Sequence, residues 1–271
     1  MSGNSGAVRF LYGSVVGRVL LSLILRSHAD RLAVAFLSSP LSRPLARWQA
    51  KRLGLPPEQA RSFGSYRAFF ARTRTAQSVD LTPGRLISPC DGYLSAYPIQ
   101  ADSSFAIKGS HYRLADLLQD EALGKRFHGG DCLIFRLCPT HYHHYHYIDD
   151  AYQGTHHFIP GILHSVQPIA CETYPVYVLN RRCWSLLTTD HFGPVVQVEI
   201  GALVVGGIHN ACQNCRVRKG TEKGHFQLAG STIVLLLQKG QVRLRPELLA
   251  QLEQGREVPV ELGMYIGDAL L

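Results

Sequence analysis

Several runs of this chain are almost continuously apolar over strand-like lengths, above all Cys132 to Leu137, Val195 to Ile200, Ala202 to Ile208 and Thr232 to Leu237. A strand with one wet face alternates apolar and polar residues, whereas a continuous apolar run belongs to a strand covered on both faces. Such strands require a central sheet with apolar layers above and below it, and 46% apolar residues among 271 is enough to build those layers. Short Val, Ile, Leu and Tyr runs, punctuated by Gly, Pro, Asp and Asn, carry this texture from Pro83-Gly84 to the C-terminus. Val176 to Leu179 reads as one more strand and Leu114 to Leu118 as a helix. Upstream, from Val8 to about Arg74, apolar residues recur at helical spacing, interrupted at Pro40, Pro44 and Pro56-Pro57, where helices should end or the chain turn. The expected fold class is α+β, with a helical N-terminal region at residues 1–75 and a mainly β domain at residues 76–271.

A formal charge of +8 favours anionic partners and suits nucleic acid and acidic phospholipid surfaces equally. The apolar run Val19 to Leu25 is bracketed by Arg18 and Arg26, is too short for a bilayer span and has no small-residue cleavage site. From Val8 to Leu37, Leu, Val and Phe alternate with Arg9, Arg18, Arg26 and Arg31, a pattern suited to amphipathic helices lying on a membrane. A helical face buried on the body of the same protein gives the same pattern, and both readings stay open here. Seven scattered cysteines point to a reducing compartment, and the lone Cys212-x-x-Cys215 has no second pair at zinc-ribbon spacing.

Three segments carry chemistry. In KGTEKGHFQLAGSTIVLLL, Lys219 to Leu237, the step Gly230-Ser231 immediately precedes an apolar strand. Glycine admits backbone conformations closed to other residues, so a turn there could present the Gly230 carbonyl carbon to the Ser231 hydroxyl. Attack gives an ester, elimination leaves dehydroalanine at position 231, and hydrolysis converts this to a pyruvoyl group. ISPCDGYLS, Ile87 to Ser95, places Asp91-Gly92 between strand-like runs. That pair suits a hairpin turn, and equally a carboxylate that orients a histidine. FRLCPTHYHHYHY, Phe135 to Tyr147, supplies His141, His143, His144 and His146. In an extended chain His144 and His146 share one face while His141 and His143 share the other. Closely spaced imidazoles could hold zinc, but no HExxH occurs and the spacing lacks the helical i, i+4 pairing, so no metal site is expected.

Together these segments resemble the phosphatidylserine decarboxylase family. SYRAFFAR at Ser65 to Arg72 is similar to its F-x-x-F-F-x-R segment with Tyr66 for the first Phe, and ISPCDG to its S-P-x-D-G. FAIKGSHYRLADLL is similar to I-K-G-x-x-Y-x-L, and the histidine tract to L-x-P-x-x-Y-H-x-x-H. GILHSVQP, VVQVEIGALVVGGI, EKGHFQLAGST and GREVPVELGMYIG follow in family order. Cys90, His141 and Gly207 stand where the family often has Ala, Asp and Ser.

The resemblance implies a self-cleaving zymogen in which Asp91, His146 and Ser231 form the processing triad. It implies cleavage between Gly230 and Ser231, giving residues 1–230 (beta chain) and 231–271 (alpha chain). His143 is then the candidate for proton handling, and the covalent pyruvoyl group from Ser231 forms a Schiff base with the substrate amine, with no metal or diffusible cofactor. Phosphatidylserine would be converted to phosphatidylethanolamine at an anionic membrane surface, with no nucleic acid involved, by a chain that forms homodimers. The expected location is peripheral, on the cytoplasmic side of a bacterial inner membrane. Three rivals remain: a non-catalytic lipid-binding homologue, a metal-dependent hydrolase using His141 to His146, and a pyruvoyl decarboxylase of soluble amino acids.

Overall fold

A computed structural model describes residues 6–26, 29–74, 78–107, 110–202, 207–228 and 231–270. Helices come first: α1 (Gly6–Gly13), α2 (Val15–Arg26), α3 (Ala29–Ser38), α4 (Arg43–Arg52), α5 (Pro57–Ser62) and α6 (Tyr66–Phe70). The prolines open helical turns as well as separating them. Pro40 begins a 3-10 turn, while Pro44 and Pro57 sit in the first turns of α4 and α5, where a missing N–H costs no helical bond. Ser65 caps α6, its hydroxyl accepting from the Ala68 N–H at 3.2 Å.

Strands follow: β1 (Arg85–Ile87), β2 (Gly92–Pro98), β3 (Ser104–Ile107) and β4 (Ser110–Arg113), then the expected helix α7 (Leu114–Leu118) and α8 (Glu121–Lys125). Next come β5 (Asp131–Leu137), β6 (His144–His146), β7 (Ala151–Gln153), β8 (His157–Ile159), and the short helices α9 (Pro168–Thr173) and α10 (Val176–Leu179). The remainder comprises β9 (Arg182–Thr189), β10 (Pro194–Ile200), β11 (Ile208–Asn210), β12 (Cys215–Val217), β13 (Glu222–Phe226), β14 (Ser231–Leu237) and β15 (Val242–Leu244). Helix α11 (Pro246–Leu252), β16 (Val258–Val260) and β17 (Tyr265–Ala269) end the chain of elements.

The main sheet runs β12-β7-β9-β10-β14-β5-β2-β16, with β8 also on β9, and its pairs are antiparallel. Its centre is β14, flanked by β10 and β5, and every residue of β14 is buried. Ile233, Leu235 and Leu237 of β14 join Leu133, Phe135 and Leu137 of β5 in one core. Val234 and Leu236 join Cys132 and Ile134 in a second core. The alternation of side chains along each strand thus feeds two apolar layers, which is why these runs carry no polar face.

One strand expectation needs correction, and another lies largely outside the described residues. Val176 to Leu179 is helical, not extended: four residues are too few for period to decide, and Pro175 precedes them with φ −74°. Arg182 then closes this helix, donating from Nη1 to the carbonyls of Val178 at 2.7 Å and Asn180 at 3.0 Å, and the strand of this stretch is β9. Of Ala202 to Ile208, residues 203–206 lie outside the described residues, and Ile208 opens β11.

The helical region divides its apolar surface. Tyr12 of α1 is buried on the body, its hydroxyl accepting from the Ser165 N–H at 2.9 Å and lying 3.1 Å from His164 Nδ1. Burial pushes this phenol up to about 12. Leu21 of α2 is buried as well, whereas Val16, Val19, Leu20 and Leu23, spaced as one helical stripe, are exposed. Among the described residues no single helix is long and apolar enough to cross a membrane. The pair α1 and α2 has the length and composition but is bent by 100°. Helices α4 to α6 close a smaller core around Ala46, Ala50, Ala60, Phe63 and Phe69.

Candidate active site

Three neighbouring strands begin or end at one edge of the main sheet. Ser231 opens β14 opposite Leu137, the last residue of β5, while Tyr93 of β2 pairs with Arg136 on the other side of β5. Asp91 and Ser231 therefore sit at the same end of the sheet, two interstrand spacings or roughly 10 Å apart along the hydrogen-bonding direction. Gly92 permits this tight start: a Cβ there would lie 3.1 Å from the Arg136 carbonyl oxygen.

Asp91 is 5% exposed and held by three donors. Its Oδ2 accepts from Arg74 Nη2 at 2.6 Å and from the Tyr142 N–H at 3.2 Å, and its Oδ1 from the Leu262 N–H at 3.1 Å. The turn before it contributes too, because the Pro89 carbonyl accepts from the His146 N–H at 2.8 Å. Asp91 thus fixes the backbone of the histidine segment, and no hydrogen bond or ion pair joins its carboxylate to the His146 ring among the described residues.

The histidines occupy distinct environments. His143 is fully buried with its ring 3.8 Å, centroid to centroid, from Phe70. Its Nδ1 donates to the His141 carbonyl at 2.9 Å, which fixes the tautomer and leaves Nε2 a bare acceptor with no partner. Burial holds this imidazole well below its ordinary range, so it is neutral at pH 7. His146 Nδ1 is likewise buried and unpartnered, and burial lowers the His146 pKa against the opposing pull of Glu222. His141 caps the end of β5, accepting from the Cys138 N–H at Nδ1, 3.1 Å away. His144 turns the other way, its Nδ1 3.0 Å from Glu222 Oε1.

Ser231 Oγ is buried and has no hydrogen-bond partner, and the same holds for Thr232 Oγ1 beside it. Gly230 lies outside the described residues. Buried polar atoms are nearly always satisfied in folded proteins. Ser231, His143 and His146 each carry such an orphan, as do Ser103, Ser185 and other described residues.

Residues from the helical region complete the site. Arg72 donates to the Phe69, Thr140 and His141 carbonyls, and Arg74 bonds Asp91. Arg72 falls within the SYRAFFAR segment, whereas Arg74 carries no motif and was not anticipated. Both line a cavity of about 330 Å³ with Leu53, Leu55, Gln59 and Thr140. Behind the histidine strand lies a second unanticipated feature, a buried ionic network. Lys223 Nζ and Glu199 Oε1 pair at 2.8 Å with both side chains fully buried. Gln197 and Asn210 donate to the same carboxylate at 3.1 and 3.2 Å, and the Tyr145 hydroxyl reaches Asn210 Oδ1 at 3.1 Å. Cys212 and Cys215 are joined as a disulfide.

Known proteins place this arrangement. The family model described as phosphatidylserine decarboxylase matches residues 66–267. A Clostridium perfringens protein named phosphatidylserine decarboxylase proenzyme is 36% identical over 96% of this chain and 92% of its own length. Phosphatidylserine decarboxylase proenzyme 2 of Clostridium acetobutylicum is 34% identical over 97% and 92%, and the proenzyme of Desulfitobacterium hafniense 33% over 96% and 91%. With identity sustained over nearly the whole chain, and the matched region reaching from α6 to β17, the chain belongs to the phosphatidylserine decarboxylase family.

Proposed function

We propose that the chain is made as a proenzyme that cleaves itself between Gly230 and Ser231 and then converts phosphatidylserine to phosphatidylethanolamine. The observation that carries this reading is Ser231 Oγ, buried and unpartnered at the head of the central strand. The same position fits a pyruvoyl group derived from Ser231, because the apolar run of β14 anchors the new chain end after cleavage. Once formed, that group supplies the electron sink for loss of the carboxylate.

The chain's own residues divide the remaining work. His146, neutral through burial, is the proposed base toward the Ser231 hydroxyl. Asp91 holds the histidine segment through the Tyr142 N–H, and the Pro89 carbonyl of the same turn holds the His146 N–H, a different route from direct carboxylate–imidazole pairing. His143 presents a neutral Nε2 acceptor and is proposed to take the proton that the substrate ammonium gives up before it condenses, then to return it to the substrate carbon after carbon dioxide leaves. Burial around these imidazoles disfavours charge and so favours the neutral substrate amine. The cavity at Arg72 and Arg74 is the proposed path for the anionic headgroup. This chemistry requires no metal and no diffusible cofactor.

The exposed stripe of α2 and the exposed Phe10, Leu32 and Phe36 support peripheral attachment of the helical region to a membrane, and the proposed location is the cytoplasmic side of a bacterial inner membrane. The homodimer belongs to the same proposal, and sedimentation would test it. Presence of Asp91, His146 and Ser231 argues against a non-catalytic homologue.

Supplying phosphatidylserine vesicles and free serine in parallel tests the function. The expected result is phosphatidylethanolamine and carbon dioxide from the lipid, little turnover of free serine, and neither product with Ser231→Ala. Equal turnover of free serine would reject the lipid substrate, and an active Ser231→Ala protein would reject the pyruvoyl chemistry.

A further inference from the structure

We propose that His144, Glu222 and His225 form a binding site for a divalent cation of the zinc class, separate from the decarboxylation chemistry and bridging β6 to β13. Strands β11, β13 and β6 form a three-stranded antiparallel sheet in which His209 pairs with His225 and His225 with His144. Directly paired residues on adjacent strands project from the same face, so the three imidazoles form a row across the sheet. Neighbouring rings in that row are 4.9 Å apart, centroid to centroid.

Glu222 would not belong to this row in a regular strand, because residues three apart project to opposite faces. The register between β13 and β6 shifts between Glu222 and Gly224, and this bulge turns the Glu222 side chain toward the histidines. Gly224 lets β11 come close to β13 beside the bulge: a Cβ there would lie 2.0 Å from the His209 carbonyl oxygen. The resulting ligand atoms of His144, Glu222 and His225 all lie within 4.8 Å of one another.

Hydrogen bonding points the same way. His144 Nε2 lies 3.4 Å from the Ala71 carbonyl, an acceptor that calls for the proton on Nε2. Nδ1 then presents a lone pair toward the Glu222 carboxylate, 3.0 Å from Oε1. Two acceptors facing each other at that distance need a positive species between them, either a proton or a cation. His225 Nδ1, 3.6 Å from the same oxygen, is buried and makes no hydrogen bond, so in the tautomer with the proton on Nε2 it supplies a second lone pair. Two imidazoles and a carboxylate are the donor set of a three-ligand zinc site, at ligand distances of about 2.0–2.2 Å. The site opens to solvent through Glu222, whose side chain is 43% exposed.

The test uses the protein as purified, with its residues 1–230 carrying all three ligands, stripped with a chelator and then titrated with Zn²⁺ in competition with a chromogenic chelator. The expected result is one Zn²⁺ per chain, with affinity falling by about tenfold or more in His225→Asn and in Glu222→Gln. Far-UV circular dichroism on both variants verifies that the sheet is intact, and the exposed Glu222 keeps the second variant informative should the first fail to fold. Binding should persist in a Cys212→Ser, Cys215→Ser double variant. Absence of stoichiometric zinc, affinity unchanged in Glu222→Gln, or loss of binding in the cysteine variant would each overturn the proposal.

Discussion

His143 and His146 show how burial selects a protonation state. Both imidazoles are lowered from their ordinary 6.5 by loss of water, so each enters the site as a neutral acceptor. Below that value the unfolded chain binds protons that the folded chain refuses, so this part of the stability is complete above pH 6.5 and is lost as the pH falls. Urea midpoints measured between about pH 8 and pH 5 should therefore drop on acidification, with a shallower drop in His143→Gln. Identical slopes in the two proteins would contradict the assignment. The type of these residues was legible in FRLCPTHYHHYHY, but their partners were not. That Asp91 would meet Tyr142, Leu262 and Arg74 rather than the His146 ring depends on where β16 and the segment after α6 come to rest, which local sequence does not encode.

Among the elements, long apolar runs were readable and short ones were not. β5, β10 and β14 match their runs to within a residue because burial on both faces leaves a continuous signal. Four residues at Val176 to Leu179 were misread because the helix there is set by Pro175 and closed by Arg182. β13 went unseen because Glu222, Lys223 and His225 do not look like a strand, yet they face an ionic network on one side and a histidine row on the other. The Glu199–Lys223 pair makes the strongest energetic forecast. Removing one member leaves the other charged and buried, so Glu199→Ala should cost about 3–5 kcal/mol in denaturant unfolding. A loss under about 1 kcal/mol would mean the network is wet or rearranged.

For the whole molecule, a net charge of +8 and an exposed apolar stripe on α2 both bear on the proposed membrane attachment. Vesicles rich in anionic lipid should bind the chain at low salt, more weakly as salt shortens the Debye length to about 8 Å at physiological strength. Val19→Glu with Leu23→Glu should weaken binding by about tenfold or more, since both side chains are mostly exposed. Unchanged cosedimentation would place the membrane contact elsewhere. The central claim, however, concerns one bond. Intact-mass spectrometry of the natively expressed protein should find two chains, residues 1–230 and 231–271, the smaller beginning with a pyruvoyl group in place of Ser231. Ser231→Ala should remain one chain. A wild-type protein recovered only as the full-length chain with an unmodified serine at position 231 would contradict the account.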